Sequence, residues 1–159
     1  KEVSFIFYDV WYGESNYSFI GSNKIIPIFV KITILFAPSE DERIAFTNNT
    51  SADLLISLSV DCHSSGAANG LATYFYGSET HGIHSIVGEK FATIVQRELI
   101  ARTDLLNNRT HAKTWNLLRL TKAPVVMLDI GYISNPKDSS RLADPNFRDV
   151  IAPTEQIDI

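Results

Sequence analysis

The residues of this chain best suited to metal binding or nucleophilic chemistry lie directly after a predicted strand. Asp61, Cys62 and His63 follow the apolar run Ala52–Val60, and a carboxylate, a thiol and an imidazole are all groups that bind zinc. A Cys62 nucleophile with His63 as its base is the weaker hypothesis, because adjacent residues rarely point at each other. The pair also fits a simpler interpretation, an ordinary loop thiol and loop imidazole.

Three further histidines, His81, His84 and His111, offer other potential metal ligands. One helical turn would bring His81 and His84 together, but Gly82 between them disfavours a helix, so loop or surface positions are the simpler interpretation. Cys62 is the only cysteine. An internal disulfide and zinc sites with four cysteines, or with two cysteines and two histidines, are therefore excluded.

Asp129 lies at the end of a second apolar run, Ala123–Ile130. A buried carboxylate costs free energy unless it is paired, which leaves two hypotheses open. Asp129 either accepts hydrogen bonds from the backbone amides of the turn at 131–135, or it lines a binding crevice at the end of the sheet. Arg119, just before this run, is suited to bind a carboxylate or phosphate, or to form a structural ion pair.

Alternating strands and helices are predicted to position these residues. Apolar runs rich in β-branched and aromatic residues predict strands over Val3–Tyr8, Lys31–Phe36, Ala52–Val60, Leu71–Gly77 and Ala123–Ile130. Capping and helical spacing predict helices over Ser39–Asn49, Ser85–Arg102 and the closing segments Ser139–Leu142 and Asn146–Ala152. Loops are predicted over 9–21 and 131–138, and a short strand over Lys113–Leu120. The predicted fold is an α/β three-layer sandwich, a mostly parallel central sheet with helices on both faces.

Composition and charge exclude several classes of protein. The 159 residues are 45% hydrophobic and 20% charged, which is a globular composition. A net charge of −4 and no basic stripe argue against a nucleic-acid binder. The longest apolar stretch, Ile25–Phe36, contains Pro27 and Lys31, so no transmembrane segment is predicted. The chain begins at Lys1 rather than Met, so we expect a processed or cut fragment.

Two motifs together, ADLLISL at 52–58 and LDIGYISNP at 128–136, resemble the zinc-dependent N-acetylmuramoyl-L-alanine amidases of the family-3 type. Members of that family cut peptidoglycan between the lactyl group and L-Ala. The resemblance runs from about Ser39 to Ala152 and is weak before Ser39. We therefore expect residues 1–152 to form one amidase-like domain and residues 153–159 a flexible tail.

The resemblance implies a site built around zinc, with His, Glu and His as ligands and a separate Glu as general base. Tyr12 stands where the first His is expected, residues 15–38 contain no acid to supply the Glu ligand, and Ser59 replaces the second His. Asp129, one methylene shorter than Glu, occupies the general-base position. We therefore expect a degenerate site without a bound cofactor, since neutral hydroxyls do not hold zinc.

Three segments are similar to one branch of the family, a group of catalytically degenerate actinobacterial regulators. These segments are Ala67–Gly70 (AANG), Phe91–Thr103 (FATIVQRELIART) and Thr114–Pro124 (TWNLLRLTKAP). The resemblance implies a cytoplasmic phosphoprotein that regulates peptidoglycan precursor synthesis and is membrane-associated through its partners. It implies three partners: UDP-N-acetylglucosamine enolpyruvyl transferase, a membrane Ser/Thr kinase and a forkhead-associated domain protein.

The C-terminal segment Pro153–Ile159 (PTEQIDI) adds a candidate modification site. Forkhead-associated domains read phosphothreonine together with the residue three places on, and Thr154 has Ile157 at that position. We therefore predict phosphorylation at Thr154, with Ile157 as the specificity residue. The same short pattern also arises by chance in a frayed terminus.

Three functional hypotheses follow. The first is a zinc-free regulator on an amidase scaffold, motivated by Tyr12 and Ser59. The second is a zinc-dependent amidase with relocated ligands, such as His63 with Asp129 or the nearby Cys62. The third is a module that binds a muropeptide without cutting it. Zinc content separates the second from the others, and muropeptide titration separates the third from the first.

Overall fold

The computed structural model describes residues 5–11, 14–20, 27–32, 39–50, 52–78 and 80–151, the first three ranges in their backbone alone. Within these residues the strands are β1 (Phe5–Trp11), β2 (Glu14–Ile20), β3 (Pro27–Ile32), β4 (Leu54–Asp61), β5 (Leu71–Ser78), β6 (Ile83–His84), β7 (Asn107–Lys113) and β8 (Val125–Tyr132). The helices are α1 (Glu40–Asn48), α2 (Ile86–Arg102), α3 (Asn116–Leu120), α4 (Pro136–Ala143) and α5 (Pro145–Ile151).

The strands form one mixed sheet in the order β3-β2-β1-β4-β8-β5-β6, with β7 also paired to β5. The pairs β1–β4, β4–β8 and β5–β7 are parallel. The pairs β1–β2, β2–β3, β5–β6 and β5–β8 are antiparallel. The predicted α/β class is confirmed, and the sheet is mixed where the sequence predicted it to be mostly parallel. Short links such as that between β1 and β2 permit only antiparallel neighbours.

Helices cover both faces of the sheet, because β4 and β8 are apolar on both sides. On one face, Ala92 and Leu99 of α2 and Leu142 of α4 pack against the strands in the larger core. On the other face, Ile44 of α1 and Leu117 of α3 pack over the strands in the smaller core. The two faces are therefore distinct surfaces, one covered by α2 and α4 and the other carrying α1 and α3.

The helix boundaries follow the local signals in the sequence. Ser39 and Glu42 form the predicted capping box of α1, with the Ser39 amide donating to the Glu42 carboxylate at 2.8 Å. The backbone and side chain of Ser39 hold the pKa of Glu42 below its usual value. Helix α2 begins after Ser85, whose hydroxyl accepts from the Gly88 amide at 3.0 Å. The predictions of helices over Ser39–Asn49 and Ser85–Arg102 are confirmed.

Three local predictions are wrong. Residues 9–21, predicted as a loop, contain the end of β1 and all of β2, because cross-strand pairing overrides the Gly, Ser and Asn signals. Lys113–Leu120, predicted as a strand, spans the end of β7 and the helix α3. Residues 131–138, predicted as a loop, contain the end of β8 and the start of α4, where Asn135 caps and Pro136 opens the helix.

No helix in the described part of the chain is long and apolar enough to cross a membrane.

Candidate functional site

The candidate site lies at the carboxyl ends of the parallel strands β4 and β8. Ser59 and Asp129 are direct partners in the ladder between these strands, so their side chains share one face of the sheet. The Ser59 hydroxyl donates to the Asp129 carboxylate and also lies 3.0 Å from the Leu128 carbonyl oxygen. The structure thus joins two residues that lie 70 positions apart in the sequence.

Tyr74 of β5 completes this group from the other side of Asp129. Strand β5 runs antiparallel to β8 with Ala72 opposite Asp129, and alternation places Tyr74 on the same face as Ala72. The Tyr74 hydroxyl interacts with the Asp129 carboxylate, and burial followed by the charge of Asp129 raises the pKa of Tyr74. Tyr74 is therefore a neutral hydrogen-bonding group at physiological pH.

Burial also raises the pKa of Asp129, and the nearby carboxylate of Asp61 adds to that effect. The hydrogen bond from Ser59 and the interaction with Tyr74 act in the opposite direction, because they stabilise the ionised form. Burial followed by the charge of Asp61 raises the pKa of Tyr132 as well. The site thus contains two carboxyl groups, Asp61 and Asp129, and two phenols, Tyr74 and Tyr132.

A buried carboxylate, Asp138 of α4, fixes the backbone around the site. Asp138 is 1% exposed, and its Oδ2 accepts from the amides of Gly70 at 2.8 Å and Tyr132 at 3.1 Å. Arg141 donates to its other oxygen at 3.2 Å. Asp138 thereby ties the start of β5 to the end of β8, which are the strands that carry Tyr74 and Asp129.

The hypothesis that Asp129 binds the amides of the turn at 131–135 is wrong. The Gly131 amide donates to Gly70, the Tyr132 amide to Asp138, and the Ile133 amide to the Asp61 carbonyl. The Asn135 amide donates to the Tyr132 carbonyl. The Asp129 carboxylate instead accepts a hydrogen bond from Ser59, which lies opposite it on the neighbouring strand β4.

Cys62 and His63 lie in the exposed loop directly after β4. The backbone amide of His63 donates to Ser134 Oγ, and its Nδ1 accepts from the Ser65 amide, both at 3.0 Å. The second bond occupies Nδ1 of the His63 ring and leaves Nε2 for another partner. The loop position is compatible with both interpretations of Cys62 and His63, which stay predictions.

The other histidines lie at separate places in the fold. His81 Nδ1 contacts the Ser78 hydroxyl at 2.9 Å, and His84 Nε2 lies 3.2 Å from the Glu89 carboxylate. His111 contacts the Asn108 carbonyl oxygen at 2.7 Å. Among the described residues, no three side chains of His, Cys, Asp or Glu come together as a potential metal site.

Arg119 was a candidate for anion binding. Its Nη2 donates to the Asn116 side chain at 2.9 Å on α3. Three further positions predicted from the sequence, Tyr12, Thr154 and Ile157, lie outside the described residues. They stay predictions.

Sequence reasoning missed Tyr74 and Asp138. The alternation of LATYFYG did contain a signal for Tyr74, because residues two apart in a strand share a face. Asp138 carried a weaker signal as an acid in the first turn of a helix that begins with Asn135 and Pro136. Its role depends on Gly70, 68 residues away, which no local pattern reveals.

Comparison with known proteins identifies the family. Residues 26–154 match the family Amidase_3, N-acetylmuramoyl-L-alanine amidase. The chain belongs to this family. The match covers β4, β5, β8 and all five helices, and therefore the whole candidate site described above.

Two curated relatives agree with this assignment. N-acetylmuramoyl-L-alanine amidase CwlM of Mycobacterium tuberculosis (strain ATCC 25618 / H37Rv) is 47% identical over 116 residues, which are 73% of this chain and 28% of that protein. Probable cell wall amidase LytH of Staphylococcus aureus is 28% identical over 120 residues, which are 75% of this chain and 38% of that protein. The chain thus spans well under half the length of either relative.

Solved structures show the same fold. An N-acetylmuramoyl-L-alanine amidase from Clostridium difficile 630 superposes with a TM-score of 0.68 at 20% identity, covering 77% of this chain and 64% of that one. The catalytic domain of the amidase CwlV from Bacillus (Paenibacillus) polymyxa var. colistinus gives 0.67 at 24% identity, with the same coverage. The α/β architecture predicted from the sequence is therefore that of the family.

The described side chains do not fit the zinc ion that the family resemblance implies. At the two positions that the structure describes, the donors are the Ser59 hydroxyl and the Asp129 carboxylate, which are hydrogen-bonded to each other. Zinc in catalytic sites takes three protein ligands from imidazole, carboxylate and thiolate groups. Ser59 supplies none of these, and the neighbouring Tyr74 is a neutral phenol.

Proposed function

We propose that this amidase-like chain is a catalytically inactive regulator of peptidoglycan precursor synthesis, acting through protein–protein contacts and Ser/Thr phosphorylation. The observation that carries the proposal is the direct pairing of Ser59 with Asp129. The resemblance predicts a zinc-binding His and a general-base Glu at these two positions. A hydroxyl bound to a shortened carboxylate supplies neither a ligand set nor a base aimed at a metal-bound water.

The regulatory part of the proposal depends on the resemblance of Ala67–Gly70, Phe91–Thr103 and Thr114–Pro124 to the degenerate actinobacterial branch of the family. The relative CwlM, 47% identical over 73% of the chain, is named an amidase, and that name favours the alternative, a zinc-dependent amidase. The partners proposed are UDP-N-acetylglucosamine enolpyruvyl transferase, a membrane Ser/Thr kinase and a forkhead-associated domain protein. We place the protein in the cytoplasm, where peptidoglycan precursors are made, with membrane association through these partners. In this proposal the amidase fold serves as a scaffold.

Elemental analysis and cleavage assays test the loss of catalysis. Purified protein is expected to contain no stoichiometric zinc, and a chelator should leave its melting temperature unchanged. It should release no L-Ala-linked peptide from a soluble muropeptide that the CwlV catalytic domain cleaves. About one zinc per chain, with a chelator-induced fall of many degrees, would refute the proposal, since a tightly bound ion stabilises a fold by several kcal/mol.

Restoring histidines provides a second test. The variants Ser59→His and Tyr12→His/Ser59→His should remain inactive, because no acid at 15–38 replaces the missing Glu ligand. A parallel His63→Ala variant examines the relocated-ligand hypothesis. Turnover by the unaltered protein that is lost in His63→Ala would establish a zinc amidase with relocated ligands.

The regulatory activity is tested by adding the phosphorylated protein to UDP-N-acetylglucosamine enolpyruvyl transferase. The phosphorylated form should raise the turnover of the transferase, and the unphosphorylated form should not. Equal rates with both forms would remove the regulatory part of the proposal. Muropeptide binding without cleavage, together with equal transferase rates, would instead identify a muropeptide-binding module.

A further inference from the structure

One segment of the chain has a charge opposite to the rest. Between Asp104 and Asp129 there is no Asp or Glu, although the chain contains 18 acidic residues. The same segment contains Arg109, Lys113 and Arg119, with Lys122 as a fourth cation. In a protein of net charge −4, this distribution creates a local positive field on a chain that is otherwise acidic.

The fold displays this segment as the edge strand β7 and as the helix α3, which packs on the same face of the sheet as α1. We define the β7–α3 surface by six exposed residues: Arg109, His111, Lys113, Trp115, Arg119 and Lys122. Helix α2 packs on the opposite face of the sheet, so its exposed residues are not part of this surface. Among the described residues, none of the four cations of this surface forms an ion pair with a carboxylate. Their charge is therefore available to a partner.

An aromatic cluster organises the centre of the surface. Trp115 packs on Tyr74 with ring centroids 4.7 Å apart, and Tyr74 lies 5.8 Å from the His111 ring. The Lys113 ammonium lies 5.8 Å from the centre of the Trp115 ring. Trp115 remains 41% exposed. Tryptophan and arginine are enriched among the residues that contribute most to the binding energy of protein interfaces, and a cation near the tryptophan ring adds to that energy. Trp115, fixed by its contact with Tyr74, has this character.

The edge position of β7 defines the shape of the partner. Within the described part of the chain β7 pairs only with β5, and no described strand pairs with its other side. His111 and Lys113 are two residues apart and share one side of the strand, at a spacing of about 6.6 Å. An extended segment with acidic residues at every second position has the same spacing, and opposite charges across neighbouring strands stabilise their pairing.

We propose that the β7–α3 surface is a docking site for an extended acidic segment of a protein partner. Trp115 contacts an apolar residue of that segment, and Lys113 and Arg119 bind its carboxylates. A membrane is less suited to this surface, because the Trp115 ring packs sideways against Tyr74 instead of protruding with other apolar residues. The inference holds whether or not the chain hydrolyses peptidoglycan, since it uses neither Ser59 nor Asp129.

Fluorescence anisotropy tests the docking site with a defined probe. The probe is a labelled peptide of about twelve residues in which Glu alternates with Thr around a central Leu, at about 50 mM salt. We expect micromolar binding to the full chain. The variant Lys113→Glu/Arg119→Glu should weaken it at least tenfold, and Trp115→Ala at least threefold.

The matched control reverses two exposed charges on α2, on the opposite face of the sheet. Lys90→Glu/Arg97→Glu makes the same change in net charge and should alter binding less than twofold. Equal weakening by both double variants, or no binding by the unaltered chain, would overturn the proposal. The milder Lys113→Gln/Arg119→Gln pair tests the same prediction should charge reversal impair folding.

Two further probes separate the peptide from other anions. Phosphatidylglycerol vesicles and single-stranded DNA are expected to bind more weakly than the acidic peptide, and the Lys-for-Glu counterpart of the peptide should not bind. Tighter binding to vesicles or DNA that depends on Lys113 and Arg119 would overturn the assignment of a protein segment as the occupant.

Discussion

Replacing Asp138 with Ala tests whether one buried carboxylate holds the site together. The substitution removes the acceptor for the amides of Gly70 and Tyr132, at 2.8 and 3.1 Å, and one partner of Arg141. Asp138 is 1% exposed, so water cannot readily replace it. Each buried donor left without a partner costs about 1–3 kcal/mol. With two such donors the expected loss is about 2–6 kcal/mol, a large part of the 5–15 kcal/mol by which a domain is normally stable.

Urea denaturation followed by far-UV circular dichroism measures this loss. Asp138→Asn retains an acceptor oxygen and the shape of the side chain, so its loss should be smaller, whereas the exposed Asp41→Ala should change stability by less than about 0.5 kcal/mol. A second readout follows from the position of Asp138. Tyr74 and Asp129 should become more accessible to solvent, so amide exchange in β5 and β8 should rise. A loss below about 1 kcal/mol for Asp138→Ala would refute the reasoning.

Three other predictions follow. Gly70→Ala should destabilise by more than about 2 kcal/mol, because φ is +102° and a Cβ would lie 2.8 Å from Leu106 Cβ; Gly82→Ala, with φ +62° and open space, should cost only about 1–2 kcal/mol in thermal melts. Asp129→Asn should raise the melting temperature at pH 7 and lose this advantage below about pH 4; an equal gain at both values would contradict the raised pKa of Asp129. A peptide covering Ala152–Ile159 should bind a forkhead-associated domain with micromolar affinity only when Thr154 is phosphorylated, and less tightly after Ile157→Ala; equal binding by all three peptides would exclude the site.

The parts of the fold that depend on nearby residues could be predicted from the sequence. The capping box of Ser39 and Glu42 and the helical spacing within α2 both operate within a few residues, and both predictions are confirmed. The strands β4 and β8 were also found, because most of their residues are apolar, as is typical of buried strands. These signals were sufficient for the α/β class and for placing Ser59 and Asp129 in buried strands, although β8 continues past Asp129 to Tyr132.

The parts that depend on pairing across the sheet could not be predicted in the same way. The residues of β2 favour a loop locally, and only their ladder with β1 makes them a strand. Lys113–Leu120 divides between strand and helix because Leu117 is buried beneath α1, a contact absent from the local pattern. The roles of Tyr74 and Asp138 likewise arise from partners that are distant in the sequence.

The hydrogen bonds of Ser59 depend on whether Asp129 carries a proton. The Ser59 hydroxyl contacts two acceptors, the Leu128 carbonyl and the Asp129 carboxylate, but it has one hydrogen to donate. While Asp129 is ionised, Ser59 donates to only one of the two acceptors at a time. Protonation of Asp129 would let the carboxyl group donate to Ser59 and leave the Ser59 hydrogen for Leu128. Burial and the charge of Asp61, which raise the pKa of Asp129, favour the same state. With its raised pKa, Asp129 binds its proton more tightly in the folded state than in the unfolded state. The contribution of the protonated Asp129 to stability is therefore complete below the pKa of Asp129 in the unfolded chain. It is lost as the pH rises through the pKa of Asp129 in the folded protein.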